Sequence, residues 1–251
     1  MFVRTVLFVM LAMLRPAWAE SITIYTEHFP PYQFIQEGKV VGINAELTML
    51  VCERAEVACE LELLPWSRSF QLTRQHKLSG LISTARYKER EQQFKWVGPL
   101  VKSTSYLYRL KHRDDISLTS LSEATRYTIG IQPNDIYEAV LLKHGFEKGR
   151  NLLNVSYKNA DMQLFIKGKL DLIIGSPLTL HYQIQPSGFV IEDLIPVLEF
   201  PLDVQGNYLA LNTAFPEPLR ERLQWALDSL RVAGDVDSLI QKYQVAQTAT
   251  N

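Results

Sequence analysis

Two matching stretches of the chain each end on a small hydroxyl residue. Residues 77–84 read KLSGLIST and residues 169–176 read KLDLIIGS, so Thr84 and Ser176 hold equivalent positions. Each stretch has the short apolar run of a buried strand, and a hydroxyl at the carboxyl end of a parallel strand can hydrogen-bond a polar ligand. Two such strand ends facing each other would line a cleft from both sides. The alternative is that each hydroxyl only satisfies neighbouring backbone groups.

The segments before each stretch follow the same order of strands and helices. SITIYT and CELELLPW read as strands, with a helix in INAELTMLVCERA, where Asn44 is a possible cap, and another from Ser67 to Gln75. In the second half, RYTIGIQP and NLLNVSYKN read as strands. The helix DIYEAVLLKHG follows the first of them, capped by Asn134 or Asp135, and ADMQLFIKG follows the second. The pattern β-α-β-α-β therefore occurs twice.

Two such units predict an α/β protein with two lobes, each built on a parallel or mixed sheet. The chain would cross between them at the polar link SYLYRLKHRDDISLTSLSEA and return near Phe200. We expect residues 20–104 to form the first part of lobe 1 and residues 105–199 to form lobe 2. Residues 200–251 would return to lobe 1 and add the C-terminal helices. A double crossing of this kind predicts a hinge.

The first 19 residues have the features of a cleaved secretory signal peptide. Arg4 precedes an apolar run of ten residues, too short to span a bilayer, and Ala17-Trp18-Ala19 has the small-x-small pattern of a cleavage site. An uncleaved anchor is the alternative. Removal of this segment leaves 24 Lys and Arg against 27 Asp and Glu, a net charge of −3. A mildly acidic chain gives no reason to expect a nucleic-acid partner.

Cys52 and Cys59 are the two cysteines of the sequence. An even pair in an exported protein is a candidate disulfide, with two buried free thiols as the alternative. A metal site is not expected, because no other cysteine is available and no histidine lies nearby in sequence.

The order of motifs along residues 20–244 resembles that of the extracellular solute-binding proteins, family 3, the periplasmic binding proteins for polar amino acids. The matching segments are YTEHFPPYQF, the long GKVVGINAELTMLVCERAEVACELELLPW with its Cys-x6-Cys pair, KERE with FKWVGPL, IGIQPND, KGKLDLIIGSP and LRVAGDVDSLIQKYQ. The resemblance implies the type II periplasmic binding fold, with a ligand held between two lobes.

The same resemblance implies roles for several residues. Arg90 matches the arginine that binds the ligand carboxylate, a role suited to its planar, bidentate guanidinium. Phe29 and Trp66 match aromatic positions around the ligand side chain, and Glu27 lies near an acidic position that meets a cationic group. For each of these the alternative is an ordinary core or surface residue.

Further positions belong to the two strand ends. Thr84 and Ala85 match a hydroxyl and a backbone N–H of the family's site, and Asn134 and Asp135 match the corresponding place in the second lobe. Ser176 departs from the pattern, because amino-acid binders of the family carry an aspartate there that pairs with the α-ammonium group. Without that charge an α-amino acid would bind more weakly, unless Glu27 or Asp203 compensates.

We therefore expect a monomeric periplasmic protein that binds a small carboxylate-bearing solute, without cofactor or metal, and delivers it to an ABC transporter. A sensing module without transport and a cyclohexadienyl-dehydratase-like enzyme on the same fold are the alternatives. Neither a Gly-x-Ser-x-Gly motif nor any other sign of Ser/His/Asp catalysis occurs in the sequence.

Overall fold

The computed structural model describes residues 21–102, 104–133, 135–156, 160–184, 187–201 and 206–248. The strands are β1 Ile22–Thr26, β2 Phe34–Gln36, β3 Lys39–Val41, β4 Cys59–Leu63, β5 Ser79–Ala85, β6 Lys95–Val101, β7 Tyr106–Leu110, β8 Ile129–Ile131, β9 Leu152–Asn154, β10 Ile173–Gly175, β11 Leu194–Glu199 and β12 Asn207–Leu211. The helices are α1 Ile43–Arg54, α2 Trp66–Gln75, α3 Ile136–Lys143, α4 Ala160–Ile166, α5 Pro177–Ile184, α6 Glu217–Ala233 and α7 Asp235–Thr248.

Five strands form one sheet in the order β4-β1-β5-β12-β6. β1 pairs in parallel with β4 and β5, and β12 runs antiparallel to β5 and β6. The first predicted β-α-β-α-β unit is confirmed as β1-α1-β4-α2-β5. Apolar residues of α1, α6 and α7 form a buried core with this sheet. A second buried cluster contains several aromatic residues, among them Trp66 and Trp96. We call the five strands, the β2–β3 hairpin and helices α1, α2, α6 and α7 the first unit.

The second unit comprises β7 to β11 and helices α3 to α5. β10, β7 and β11 form an antiparallel sheet, and β8 pairs in parallel with β9. The predicted strands β8, β9 and β10 are all present, but they do not form one continuous parallel sheet. An isolated bridge joins Ile129 of β8 to Leu172, the residue before β10, and β10 itself pairs with the crossing strand β7. The second unit has its own buried clusters.

The chain passes between the units twice, from β6 to β7 and from β11 to β12. This arrangement of mixed sheets agrees with the fold expected from the sequence, whereas the residue boundaries given above for the lobes stay a prediction. Residues 1–19, the expected signal peptide, lie outside the described residues.

The start of α1 differs from the prediction. The helix begins at Ile43 after Gly42, whose φ is 119°, so Asn44 lies inside the first turn and does not cap the helix. The Asn44 side chain is fully buried and its Nδ2 donates a hydrogen bond to Ser83 Oγ at 2.7 Å. The amide is therefore used to connect α1 to β5.

The expected disulfide is present between Cys52 near the end of α1 and Cys59 at the start of β4. It closes a short loop, with a sequence separation of 7. Replacing both cysteines by serine should lower the free energy of unfolding by about 2–3 kcal/mol, since the unfolded chain regains the entropy of the open loop. Urea unfolding with and without dithiothreitol measures this. Reductant should destabilise the natural chain and leave the double variant unchanged; equal stability of both chains under oxidising conditions would contradict the prediction.

Candidate functional site

A cleft of about 110 Å³ lies where the carboxyl ends of strands from both units meet. From the first unit it is lined by residues that follow β1, β4 and β5, and from the second by residues that follow β8, β9 and β10. Parallel strands direct their carboxyl ends to one edge of a sheet, so the loops there can carry polar groups without interrupting the strands. The sequence predicted a ligand site at this same edge of the sheets.

Among the described residues, the wall from the first unit contains aromatic side chains and one guanidinium. Its predicted members Glu27, Phe29, Trp66, Ala85 and Arg90 all line the cleft. Phe29 and Glu27 belong to the loop after β1, and Trp66 is the first residue of α2. The fold thus brings together side chains that are up to 63 positions apart in sequence.

Arg90 is the chemically distinctive residue of this wall. Its side chain is 4% exposed, and its guanidinium carbon lies 4.8 Å from the ring centre of Tyr87, 5.4 Å from that of Phe70 and 5.7 Å from that of Trp66. Burial lowers the pKa of the guanidinium, and the neighbouring Tyr87 and Asp135 partly oppose that shift. Aromatic faces attract a cation at these distances while they exclude water from it. Arg90 is therefore a fixed, weakly hydrated positive charge at the cleft.

The position of Thr84 corrects the prediction. Thr84 is fully buried, its hydroxyl donates to the carbonyl of Leu81 at 3.0 Å, and it does not line the cleft, whereas Ser83 does. The register between β5 and β12 shifts by one residue at this point, and Ser83 has a φ of 58°. An extra residue of this kind is a β-bulge, which re-aims the side chains that follow it. The bulge turns Ser83 to the cleft and Thr84 to the interior.

The Ser83 hydroxyl is hydrogen-bonded to two buried side-chain amides. Asn44 Nδ2 donates to Ser83 Oγ at 2.7 Å, and Ser83 Oγ donates to Gln33 Oε1 at 2.5 Å. Gln33 and Asn44 are both fully buried. These contacts fix the position of the Ser83 hydroxyl in the wall of the cleft.

The wall from the second unit is polar and acidic. Gln132 and Asp135 follow β8, Asp161 lies in the first turn of α4, and Ser176 follows β10. The Asp135 carboxylate caps α3 by accepting a hydrogen bond from the backbone N–H of Tyr137 at 3.2 Å, so the predicted capping role of Asp135 is confirmed. Asn134, predicted beside it, lies outside the described residues.

Ser176 lines the cleft and also caps α5. Its Oγ accepts from the backbone N–H of Thr179 at 3.2 Å, and its own N–H donates to Thr179 Oγ1 at 3.1 Å. Ser176 therefore lies at the cleft and also satisfies neighbouring backbone groups, so the two roles considered from the sequence are compatible. The hydroxyl carries no charge, so the charge of this wall must come from other residues.

Among the described residues that line the cleft, three are carboxylates and one is a guanidinium. The carboxylates are Glu27 from the first unit and Asp135 and Asp161 from the second. Asp203, the other compensating acid considered from the sequence, lies outside the described residues. With Arg90, the described lining has a formal excess of negative charge. An arrangement of this kind suits a ligand that has a carboxylate and more than one positive group.

Helix α5 connects the cleft to the opposite unit. Ser176, Thr179 and Gln183 lie on its cleft side, at the spacing of successive turns. The Tyr182 hydroxyl donates to the backbone carbonyl of Tyr243 in α7 at 2.8 Å, and the Tyr182 ring lies 6.1 Å from that of Phe34. The two units are thus in contact beside the cleft as well as through the two crossings.

A family model covers nearly all of the described chain. The model for bacterial extracellular solute-binding proteins, family 3, matches residues 22–246. The chain belongs to this family. Its similarity to known members is low in sequence: it is 21% identical over 222 residues to the probable amino-acid-binding protein YxeM of Bacillus subtilis (strain 168), which covers 85% of this chain and 79% of that protein.

Solved structures share the fold along most of this chain. A histidine kinase sensor domain with similarity to periplasmic binding proteins has a TM-score of 0.76 at 21% identity, covering 89% of this chain and 96% of that one. The amino acid ABC transporter substrate-binding protein AbpA of Streptococcus pneumoniae, bound to L-arginine, has a TM-score of 0.76 at 18% identity, covering 90% and 95%. These likenesses establish the periplasmic-binding-protein fold.

Several lining residues of this solute-binding protein were not found from the sequence. They are Tyr32, Ser83, Ser105, Gln132, Tyr137, Asp161, Thr179 and Gln183, with apolar positions between them. Asp161 had a usable signal, since it opens a helix directly after a strand, at the end of the sheet where the site was expected. Ser83 had none, because a bulge depends on the pairing of β5 with β12. In the part of the chain that the structure describes, no group of three or more His, Cys, Asp and Glu side chains is placed to hold a metal ion, and no helix is both long and apolar enough to cross a membrane.

Proposed function

We propose that the protein binds an amino acid or a closely related small carboxylate-bearing solute in the cleft between its two units, with no bond made or broken. The observation that carries this proposal is Arg90, a residue that is 4% exposed and whose guanidinium lies at the cleft among three aromatic rings. Burial of a cation costs solvation free energy, and a ligand carboxylate held bidentately would offset that cost.

The charge of the cleft narrows the class of solute. The positive charge of Arg90 is complementary to a ligand carboxylate. The carboxylates of Glu27, Asp135 and Asp161 are complementary to positively charged groups of a ligand. Phe29, Tyr32 and Trp66 offer aromatic surface for the intervening side chain. A basic amino acid such as L-arginine satisfies all three features. AbpA of Streptococcus pneumoniae, which has the same fold, was solved with L-arginine bound.

The two-unit architecture supports capture by closure. A ligand that contacts both walls favours the closed arrangement by its differential contacts with that state. We propose that the protein is secreted to the periplasm as a monomer and delivers its solute to a membrane permease. The fold also serves as a histidine kinase sensor domain, so a sensor kinase is the other partner to test in pull-down experiments from membranes.

A thermal-shift screen of residues 20–251 tests the binding proposal. Ligand that binds only the folded state at 100 times its Kd adds about 2.7 kcal/mol of stability, which corresponds to a rise in Tm of about 5–10 °C for a chain of this size. We expect this rise with L-arginine, L-lysine or L-ornithine. Agmatine, which lacks the carboxylate of L-arginine, is the matched control and should produce little shift. A screen in which no amino acid raises Tm would refute the proposal.

The enzymatic alternative is checked on the same material. Acid–base chemistry needs a carboxyl group near the reacting atoms, and the cleft contains three. Incubation with prephenate or arogenate should leave both compounds unchanged when absorbance of the aromatic product is followed. Formation of phenylpyruvate or phenylalanine would replace the binding proposal with a dehydratase.

A further inference from the structure

We propose that Asp161 binds the α-ammonium group of the ligand, in place of the acid that the family resemblance expects at position 176. The inference rests on the proposed function and makes it more specific. Ser176 stands at the end of β10, where amino-acid binders of the family present a carboxylate. Asp161 supplies a carboxylate to the same wall of the cleft from a different element, α4.

The packing of α4 places Asp161 at that wall. α4 contacts both β8 and β10, the strands whose carboxyl ends border the cleft. Gly130 in β8 makes this possible: a Cβ added there would lie 3.0 Å from Asp161 Cβ and 2.7 Å from Leu170 Cδ1. Real Cβ atoms rarely approach so closely, so the absent side chain of Gly130 lets α4 lie against the strand. The consequence is that the first turn of α4 reaches the cleft.

The other carboxylates of the cleft fit the role less well. Asp135 caps α3 through the backbone N–H of Tyr137, and it is close enough to Arg90 to influence the pKa of that guanidinium. Glu27 belongs to the first unit, as Arg90 does. Asp161 instead lines the cleft from the opposite unit, so a zwitterion bound by both Asp161 and Arg90 holds the two units together.

Ser176 keeps a secondary role in this arrangement. Its hydroxyl is engaged with Thr179 as a helix cap, which requires no charge. A carboxylate at position 161 gives this wall the same net charge as a carboxylate at position 176 would. The equivalence of the two positions can therefore be tested by removing the carboxylate at 161 and introducing one at 176.

The test measures the binding of two probes to residues 20–251 by calorimetry. The probes are L-arginine and 5-guanidinopentanoic acid, which differ by the α-ammonium group alone. In the natural chain, loss of that group should weaken binding about 10- to 100-fold, as expected for a charge-assisted hydrogen bond. In Asp161→Asn the two probes should bind about equally. Asp135→Asn is the matched control, in which the preference for L-arginine should persist.

Charge relocation completes the test. Ser176→Asp introduced into Asp161→Asn should restore at least about tenfold of the affinity for L-arginine and restore the preference over 5-guanidinopentanoic acid. Urea unfolding establishes that each variant is folded. An undiminished preference for L-arginine in Asp161→Asn, or equal losses for both probes, would overturn the assignment and leave the binding proposal intact. A loss of preference that Ser176→Asp does not restore would overturn the equivalence of the two positions. A natural chain that binds no amino acid would overturn the proposed function and the assignment with it.

Discussion

Replacing Arg90 by alanine is expected to weaken the binding of L-arginine at least about 100-fold, which corresponds to about 2.7 kcal/mol. Arg90 is 4% exposed and its guanidinium lies among the rings of Trp66, Phe70 and Tyr87, so it is shielded from water and held in place. A carboxylate that meets such a cation gains a charge-assisted, bidentate interaction, and its own desolvation is uncompensated when the cation is removed. Isothermal titration calorimetry of residues 20–251 measures the effect.

Two further variants separate the charge of Arg90 from its shape and position. Arg90→Lys keeps a positive charge but lacks the planar fork, and it should recover only part of the affinity. Arg86→Ala removes a nearby arginine that pairs with Glu91 at 2.6 Å and does not line the cleft. Its binding should stay within about threefold of the natural chain, because an exposed ion pair contributes little. Equal binding by Arg90→Ala and Arg86→Ala would show that the carboxylate is held elsewhere.

Gly42→Ala is expected to lower the free energy of unfolding by at least about 3 kcal/mol, or to prevent folding. Gly42 has a φ of 119°, a conformation that other residues rarely adopt, and an added Cβ would lie 2.6 Å from the carbonyl oxygen of Tyr32. Relief of this clash would move Tyr32, which lines the cleft, and the Gly42 N–H that donates to the Tyr243 hydroxyl at 2.8 Å. Urea unfolding followed by circular dichroism measures the loss.

Gly38→Ala provides the matched control for this substitution. Gly38 also has a positive φ, 76°, in the turn between β2 and β3, but an added Cβ there would meet no atom within 4 Å. The substitution should therefore cost only the backbone strain, about 1–2 kcal/mol. Equal costs at the two positions would show that the close approach to Tyr32 does not constrain the start of α1.

The fold was largely accessible from the sequence because its signals are local. The β-α-β-α-β order depends on short runs of neighbouring residues. Cys52 and Cys59 form an even pair in a chain expected to be exported, and this made their disulfide a candidate from the sequence. The pairing of β10 with β7 was not predicted, since it depends on where a strand from the first unit enters the second.

In the candidate site, too, some residues could be predicted from the sequence and others could not. The order of motifs, interpreted as a family resemblance, predicted Arg90, Phe29 and Trp66 as site residues. Each of them lies shortly after a strand that the sequence predicts. The prediction that Thr84 lines the cleft was wrong, because the β-bulge that turns Ser83 to the cleft exists only in the pairing of β5 with β12. Packing also decided the place of Asp161, since its approach to the cleft depends on contact between α4 and Gly130 in another element.

The sequence by itself thus determined the family, the two units and the edge of each sheet where a ligand is expected, because these follow from local periodicity and motif order. The family resemblance also implied that the acid of the family's amino-acid binders is absent at position 176. Only the tertiary structure placed Ser83 and Asp161 at the cleft and directed Thr84 to the interior. The physical reason is that the direction of a side chain depends on strand register and on the distance between packed elements, and both are set by residues that are remote in sequence.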